Sequence, residues 1–356
     1  MRSVILKKKE LLPSLLWRVA RWYISYCAGR RPRPLAAGLY ITSRCNCRCT
    51  FCGIWRKDPA KTLSLPEASH IVDELSGLGC FYFSITGGEP LLVDYLDDLL
   101  AHARKSRISY LHLVTNGYLL DDARARSLAA TGIDEISISI DGPASVHDEA
   151  RGVPGSYAKA VQAVLAMKRA APQVTVVLNS VIRPDRPRAC LHTLELARRY
   201  DVYLKVQPQN RHPSFDGTPP VQNADKHVSR DLIAEVVSCL KQNDRVVNSR
   251  PFLNSVYNFL CKKERYIFNQ KSCLFGYHHV EFLEDGSVFP CLEGLNWTGG
   301  FSREKGLRTM LASVEYRQRL AELKRCNGCR QSCYICYYEP RISFPLSNFL
   351  KFRWSR

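Results

Sequence analysis

Strand and helix signals alternate along residues 38–206 with short links, and nothing else in the chain restricts its fold as strongly. Strands read at Leu39–Thr42, Phe81–Thr86, Tyr110–Thr115, Glu135–Ile140, Val174–Val181 and Val202–Val206. Between them, helices read from Ser64 onward and at Val93–Ser106, Asp121–Ala130, Tyr157–Arg169 and Ala189–Tyr200. Ser64 with Pro66 and Glu67 has the spacing of a capping box, and Gly132 follows Ala130 closely enough to stop a helix. Strands joined by helices through short links form parallel sheets with right-handed crossovers. In such sheets chemistry gathers at the carboxyl ends of the strands, so the residues just after each strand carry the functional information.

Composition narrows the class. The chain has 356 residues, 46% of them apolar, enough for one large α/β domain and something smaller. A formal charge of +18 excludes an acidic solvating protein and points to an anionic partner. No apolar run is long enough to span a bilayer and no stretch reads as a cleavable signal peptide. The 15 cysteines therefore read as intracellular thiols open to metal, and the expected location is the cytoplasm.

The loop after the first strand reads Cys45-Asn-Cys47-Arg-Cys49-Thr-Phe51-Cys52. Cys45, Cys49 and Cys52 are spaced C-x3-C-x2-C. Three thiolates on one short loop can hold three irons of a cubane cluster and leave the fourth open to a small chelating molecule. A zinc knuckle with Cys47 as the fourth ligand is the competing reading; beside three converging thiolates, Cys47 would point elsewhere and have no role. The second strand ends in Thr86-Gly87-Gly88-Glu89-Pro90. Its glycines allow close backbone approach to a ligand, and Glu89 can accept from a ligand ammonium.

With these two loops, residues 38–210 resemble a radical S-adenosylmethionine (radical SAM) domain. The resemblance implies a partial (β/α)6 barrel of the TIM type. It also implies a [4Fe–4S] cluster on Cys45, Cys49 and Cys52 whose open iron is chelated by the amino and carboxylate groups of SAM. Phe51 matches the family's aromatic residue before the last cysteine. Gly87, Gly88 and Glu89 would meet the methionine amine, Ser139 and Asp141 the ribose side, and Arg151 the carboxylate. Asn116 and Asn179, near the ends of the third and fifth strands, would line the same pocket, although Asn-Gly and Asp-Gly are also ordinary turn formers. An electron donor such as flavodoxin or ferredoxin would reduce the cluster.

A second cysteine set lies in the last third. Cys273 is followed by Gly286 and Cys291 around a hairpin turning at Asp285-Gly286. Cys326, Cys329, Cys333 and Cys336 complete six thiols, which read as ligands of iron–sulfur or zinc, whereas Cys80, Cys190 and Cys239 read as buried core thiols. The set resembles the SPASM or twitch extension of radical SAM maturases, a small Cys-rich α+β unit binding auxiliary [4Fe–4S] clusters. Here the last spacings are shorter, and no cysteine follows Cys336. Six thiols suit one auxiliary cluster better than two. Cys273 and Cys291 with two of the last four are the expected ligands.

Both ends of the chain are basic and aromatic. Residues 1–35 carry nine Lys or Arg against Glu10 alone, interleaved with Leu15, Leu16, Trp17, Trp22 and Ile24. Residues 341–356 carry Arg341, Lys351, Arg353 and Arg356 among Phe and Leu, with no acid. Such segments can lie at an anionic bilayer surface, here its inner face, or simply cover a core. Nucleic acid is disfavoured, since no binding motif accompanies the charge. The divisions are then a basic amphipathic segment (1–35), a radical SAM core (36–210), a helical linker (211–262), an auxiliary-cluster extension (263–340) and a basic tail (341–356).

The expected activity is reductive cleavage of SAM to a 5′-deoxyadenosyl radical, which abstracts hydrogen from a substrate. A lipid or lipid-linked intermediate is the first candidate, and a ribosomally made peptide the alternative. A non-catalytic metal-binding scaffold for membrane or nucleic acid is the competing class.

Overall fold

The computed structural model describes residues 9–30, 33–209, 229–248, 250–262, 275–291, 302 and 306–325. Helix α1 (Leu12–Cys27) precedes strand β1 (Ala36–Tyr40). Then follow α2 (Leu65–Leu78), β2 (Tyr82–Thr86), α3 (Leu96–Lys105), β3 (Tyr110–Thr115), α4 (Asp122–Ala130) and β4 (Glu135–Ser139). After α5 (Ala144–Arg151) and α6 (Ser156–Ala170) come β5 (Thr175–Ile182), α7 (Ala189–Arg199) and β6 (Tyr203–Pro208). The remainder comprises α8 (Arg230–Lys241), α9 (Arg250–Lys262), α10 (Phe275–His278), β7 (His279–Phe282), β8 (Val288–Phe289), α11 (Leu307–Ala312) and α12 (Val314–Arg325).

One sheet runs β6-β5-β4-β3-β2-β1-β7-β8. Strands β1 to β6 pair in parallel, in chain order, as a partial barrel requires. The Asp285-Gly286 hairpin forms as β7 and β8, with Gly286 at φ 79° in the turn. Its first strand pairs in parallel with β1, Ala36 opposite His279 and Leu39 opposite Phe282. The cysteine-rich region thus opens by extending the main sheet at the edge the barrel leaves free. That pairing, together with β2, places β1 three residues earlier than its sequence signal, and Thr42 makes only an isolated bridge to Thr62.

Local sequence explains the helices. Ser64 Oγ accepts from the Glu67 N–H at 3.4 Å, and the Ser64 N–H donates to Glu67 Oε2 at 2.8 Å, so α2 starts on a full capping box. Gly79, at φ 80°, ends it. One face of the sheet, with Leu39, Phe83, Ile85, Leu111, Leu113, Ile136 and Ile138, packs against Ile71, Val72 and Leu75 of α2 and Leu96, Leu99 and Leu100 of α3. Within the span read as a linker, Ile233 and Leu240 of α8 and Phe252 and Val256 of α9 join the same core. Asn248 seals the β6 edge: its Nδ2 donates to the Val206 carbonyl at 3.0 Å and its Oδ1 accepts from the Val206 N–H at 2.7 Å.

Helix α1 covers the amino ends of β1 to β3. Leu15 and Trp22 cluster with Leu35, Ala36, Phe81 and Tyr110, the residues that open those strands. Each such buried side chain is worth roughly 1.5–3 kcal/mol. Trp22 Nε1 also donates to the Tyr277 carbonyl at 3.1 Å, which ties α1 to α10. Among the described residues no helix is long and apolar enough to cross a membrane.

Candidate active site

The carboxyl ends of β1 to β4 meet where the cysteine loop crosses them. The Gly88 N–H donates to the Thr42 carbonyl at 2.6 Å, and the Glu89 N–H to the Arg44 carbonyl at 2.8 Å. A Cβ on Gly88 would lie 2.0 Å from the Arg44 carbonyl oxygen, and one on Gly87 2.5 Å from that of Thr42. Both glycines are therefore required by the chain's own backbone: they let the β2 loop lie directly on the segment leading into Cys45. Ligand approach, the reason read from the sequence, is not the constraint these contacts express.

Glu89 is buried at the centre of this junction. Its Oε1 accepts from the Thr115 hydroxyl at 2.7 Å and the Leu91 N–H at 3.0 Å, and its Oε2 from the Asn116 N–H at 2.8 Å. Burial raises its pKa, and these three donors oppose the shift. Oε2 keeps room for one further donor, which is what a ligand ammonium would need. Asn116 Nδ2 donates to Asn46 Oδ1 at 2.7 Å, so the β3 loop also grips the cysteine loop. Asn46 Nδ2 is buried and has no partner among the described residues.

From the other side, α5 holds the same loop. The Arg48 N–H donates to the Arg151 carbonyl at 2.8 Å and the Thr50 N–H to the Ala150 carbonyl at 2.9 Å. These are two of the carbonyls a helix leaves unpaired at its end. Gly152, at φ 64°, then turns the chain away, and a Cβ there would meet the Arg48 carbonyl oxygen at 2.7 Å. The sequence gives no strand or helix signal over α5 beyond the His-Asp-Glu-Ala-Arg string itself.

Arg151 is the charged centre of the cluster. Its Nε donates to Asp141 Oδ2 at 2.8 Å, its Nη2 lies 2.7 Å from the same oxygen, and its Nη1 lies 3.7 Å from Cys49 Sγ. The guanidinium also stacks over Phe51, 5.4 Å from the ring centre. Burial alone would lower its pKa, but Asp141 and the Cys49 sulfur outweigh burial and hold it charged. Asp141 Oδ1 accepts from the Val181 N–H at 2.9 Å, and the Asp141 N–H donates to His147 Nδ1 at 3.1 Å. His147 is driven down to about 4, mainly by burial and then by Arg151, so it accepts as a neutral ring.

The thiols of the loop differ. Cys49 is lowered to about 6, first by a hydrogen bond from Cys47 and, against burial, by Arg151. Cys45 is lowered as well, again chiefly by Cys47. Burial pushes Cys52 up to about 11. Cys47 is buried between Cys45 and Cys49, and its N–H lies 3.4 Å from Cys45 Sγ. Its thiol is held protonated, chiefly by the Cys45 and Cys49 sulfurs beside it and then by burial. Cys47 thus does not point away as the sequence suggests, but lies buried beside Cys45 and Cys49, and its backbone N–H donates to Cys45 Sγ. Among the described residues no three His, Cys, Asp or Glu side chains gather around a single metal ion. A cubane asks for something else, one thiolate on each of three irons, and three soft donors of lowered or metal-lowerable pKa beside a fixed cation fit that demand.

Ser139 and Asn179 stand side by side in the β4–β5 register, at the same edge as Asp141. These contacts join Gly88, Glu89, Asn116, Asp141 and Arg151 to the cysteine loop or the segment leading into it, and the β4–β5 register sets Ser139 beside Asn179. Cys291 is buried just after β8, whereas Cys273, Cys326, Cys329, Cys333 and Cys336 lie outside the described residues. Cys80 and Cys190 are buried as expected, and Cys239 only half so.

A second polar set was not singled out from the sequence. On the sheet face opposite the helices, His112 Nδ1 meets the Tyr82 hydroxyl at 2.6 Å and Ser84 Oγ at 2.9 Å, and its Nε2 meets Ser137 Oγ at 2.8 Å. The Tyr110 hydroxyl donates to Glu135 Oε2 at 2.8 Å. The signal was present: Tyr82-Phe-Ser84-Ile, Tyr110-Leu-His112-Leu and Glu135-Ile-Ser137-Ile alternate polar and apolar, unlike the continuous apolar runs usual for buried parallel strands.

A profile of the Radical SAM superfamily matches residues 39–197. The AdoMet-dependent heme synthase of Methanosarcina barkeri is 25% identical over 312 residues, covering 84% of this chain and 87% of that protein. The mycofactocin maturase MftC of Mycobacterium tuberculosis is 31% identical over 226 residues; the match covers 62% of this chain and 56% of the maturase. Among solved structures, Streptococcus suis SuiB bound to its precursor peptide SuiA superposes with a TM-score of 0.64 at 17% identity, over 85% of this chain and 72% of that one, a likeness of fold. With the alternating sheet, the cysteine loop and the buried Glu89 in place, the match identifies residues 39–197 as a domain of the radical SAM superfamily, a family of enzymes whose cofactors are a [4Fe–4S] cluster and SAM.

Proposed function

We propose that the chain uses its radical SAM centre to abstract hydrogen from a peptide substrate. Cys45, Cys49 and Cys52 would hold the cluster, which when bound would supply the electron for reductive cleavage of SAM and so the radical chemistry of hydrogen abstraction. Glu89 Oε2 and Asn116 would orient the methionine amine, Arg151 its carboxylate, and Ser139 with Asn179 the ribose side. Asp141 holds Arg151 in place and needs no other role. The Cys47 backbone N–H, donating to Cys45 Sγ, would stabilise that thiolate.

The observation that carries the substrate class is the polar sheet face built from Tyr82, Ser84, His112, Ser137 and Glu135. A hydrocarbon chain laid on Tyr82 and Ser84, its two half-buried members, would displace the water at their remaining hydrogen-bonding positions and replace it with nothing, at roughly 1–3 kcal/mol for each position left unpaired. Peptide amides and side chains can replace that water with hydrogen bonds. The relation to MftC, a maturase by name, supports the same class. A lipid-linked intermediate is the second reading. It is favoured by α1, where Trp17 is 60% and Ile24 69% exposed beside arginines. Reduction by flavodoxin or ferredoxin belongs to this proposal as well, as does an auxiliary cluster that includes Cys291.

The test offers fully deuterated peptide and lipid fractions separately to the reduced, SAM-loaded enzyme and follows deuterium into 5′-deoxyadenosine. Transfer from the peptide fraction is expected. Transfer from the lipid fraction alone would overturn the peptide assignment in favour of the second reading.

A further inference from the structure

We propose that α1, with Arg30 and Arg33 after it, forms a binding site for a phosphate or pyrophosphate group at the amino ends of the strands, on the opposite edge of the sheet from the cysteine loop. A cavity of about 250 Å³ opens there, lined by Arg18, Arg21, Arg30 and Arg33 with Trp22 and Gly79. Among the described residues four guanidiniums line it and no carboxylate does. None of the four has an ion-pair partner among the described residues, although the same fold pairs Arg104, Arg124, Arg151, Arg169 and Arg188 with acids.

Two of the arginines are held in place. Arg18 Nη1 donates to the Gly79 and Cys80 carbonyls, both at 2.7 Å, and its Nη2 to the Arg107 carbonyl at 3.1 Å, so it forms a fixed wall. Arg21 stacks on Trp17, 4.9 Å from the ring centre. Arg33 is lowered by burial and then by the charges of Arg21 and Arg308. Like charges kept close without an acid between them destabilise one another, and an anion placed among them removes that repulsion. Guanidinium forks match oxyanions two oxygens at a time, which a halide cannot offer, and several guanidiniums around one cavity suit the many oxygens and higher charge of phosphate or pyrophosphate.

The phosphate could come from a phospholipid headgroup or from a soluble phosphate ester. Leu16, Trp17 and Ile24 are exposed on α1, an arrangement that would let the helix lie in a headgroup layer with the cavity over a lipid phosphate. The site stands whichever substrate class the radical chemistry serves.

The test uses the full-length, anaerobically reconstituted enzyme. Titration calorimetry with inorganic pyrophosphate is expected to show saturable binding. The Arg21→Ala/Arg33→Ala double variant should weaken it by about tenfold or more, as expected for losing two charge-assisted contacts. Arg126→Ala, an exposed arginine on α4, should leave it unchanged. If the double variant does not fold, Arg30→Ala, at an exposed position, gives the same comparison. Flotation on phosphatidylcholine vesicles with and without phosphatidic acid separates the sources. Flotation requiring phosphatidic acid, Arg21 and Arg33 supports the site with a lipid headgroup. Pyrophosphate binding without flotation supports it with a soluble phosphate ester. No saturable pyrophosphate binding, or binding and flotation that Arg126→Ala weakens as much as the double variant does, would overturn the proposal.

Discussion

Replacing Gly88 with alanine tests how the site is built. The added Cβ would lie 2.0 Å from the Arg44 oxygen, 2.6 Å from its carbonyl carbon and 2.9 Å from the Ser43 oxygen. All three are backbone atoms, so no side chain can swing aside. The two segments must separate by more than 1 Å to reach the ordinary contact of 3.4 Å. That breaks the Glu89 N–H bond to Arg44 and strains the 2.6 Å bond from the Gly88 N–H to Thr42. Two backbone hydrogen bonds are worth about 2 kcal/mol and the overpacking another 1–3 kcal/mol, so roughly 3–5 kcal/mol in all. The displaced residue, Arg44, is the neighbour of Cys45, so the damage also reaches the cluster ligands. Guanidinium denaturation of the reconstituted protein should show a lower midpoint at unchanged slope, and iron content should fall. A Gly88→Ala protein within about 1 kcal/mol of the parent and with full iron loading would refute this account of the glycines.

Other perturbations follow from the same geometry. Asp141→Asn keeps an acceptor for the Val181 N–H but leaves Arg151 buried without its anion, and should cost about 3–5 kcal/mol in denaturation while weakening SAM binding by equilibrium dialysis. Gly77→Ala, inside α2 with nothing within 4 Å of the added Cβ, should instead stabilise by about 0.5–1 kcal/mol in the same assay. His147 and His278 are held at about 4 and about 3 against an ordinary 6.5. The unfolded chain therefore takes up protons that the folded one refuses, so their stabilisation is complete above pH 6.5 and is lost as pH falls toward 4. Denaturation midpoints at pH 7 and pH 5 should differ by on the order of 2 kcal/mol for each histidine.

The parts of this molecule legible in its sequence are those with local causes. The capping box at Ser64 and the turn at Asp285-Gly286 are decided by residues a few positions apart, and each formed where its residues stand. The cysteine loop, Gly87-Gly88-Glu89 and Asp141 could be placed because parallel strands deliver their carboxyl ends to one edge. Features decided by distant contacts were not legible. The pairing of β7 with β1 joins segments far apart in the chain, and β7 is too short to announce a partner. Cys47 reads as a bystander in the motif, and only the folded loop shows its thiol between Cys45 and Cys49. The basic, aromatic α1 reads equally as a membrane-surface helix or as a cover for the core, and only the fold shows that Leu15 and Trp22 cover the barrel's amino end while Leu16, Trp17 and Ile24 remain outside. The polar face around His112 was visible as an alternation but was overlooked because buried parallel strands rarely show one.

The central claim, a radical SAM centre on Cys45, Cys49 and Cys52, is tested most directly by product analysis under anaerobic conditions. The protein is reconstituted with iron and sulfide, given SAM and a strong reductant, and assayed for 5′-deoxyadenosine by mass spectrometry beside Cys49→Ala. Formation of 5′-deoxyadenosine by the parent and none by the variant is the expected result. Formation by neither, with zinc in place of iron in the protein as isolated, would contradict it.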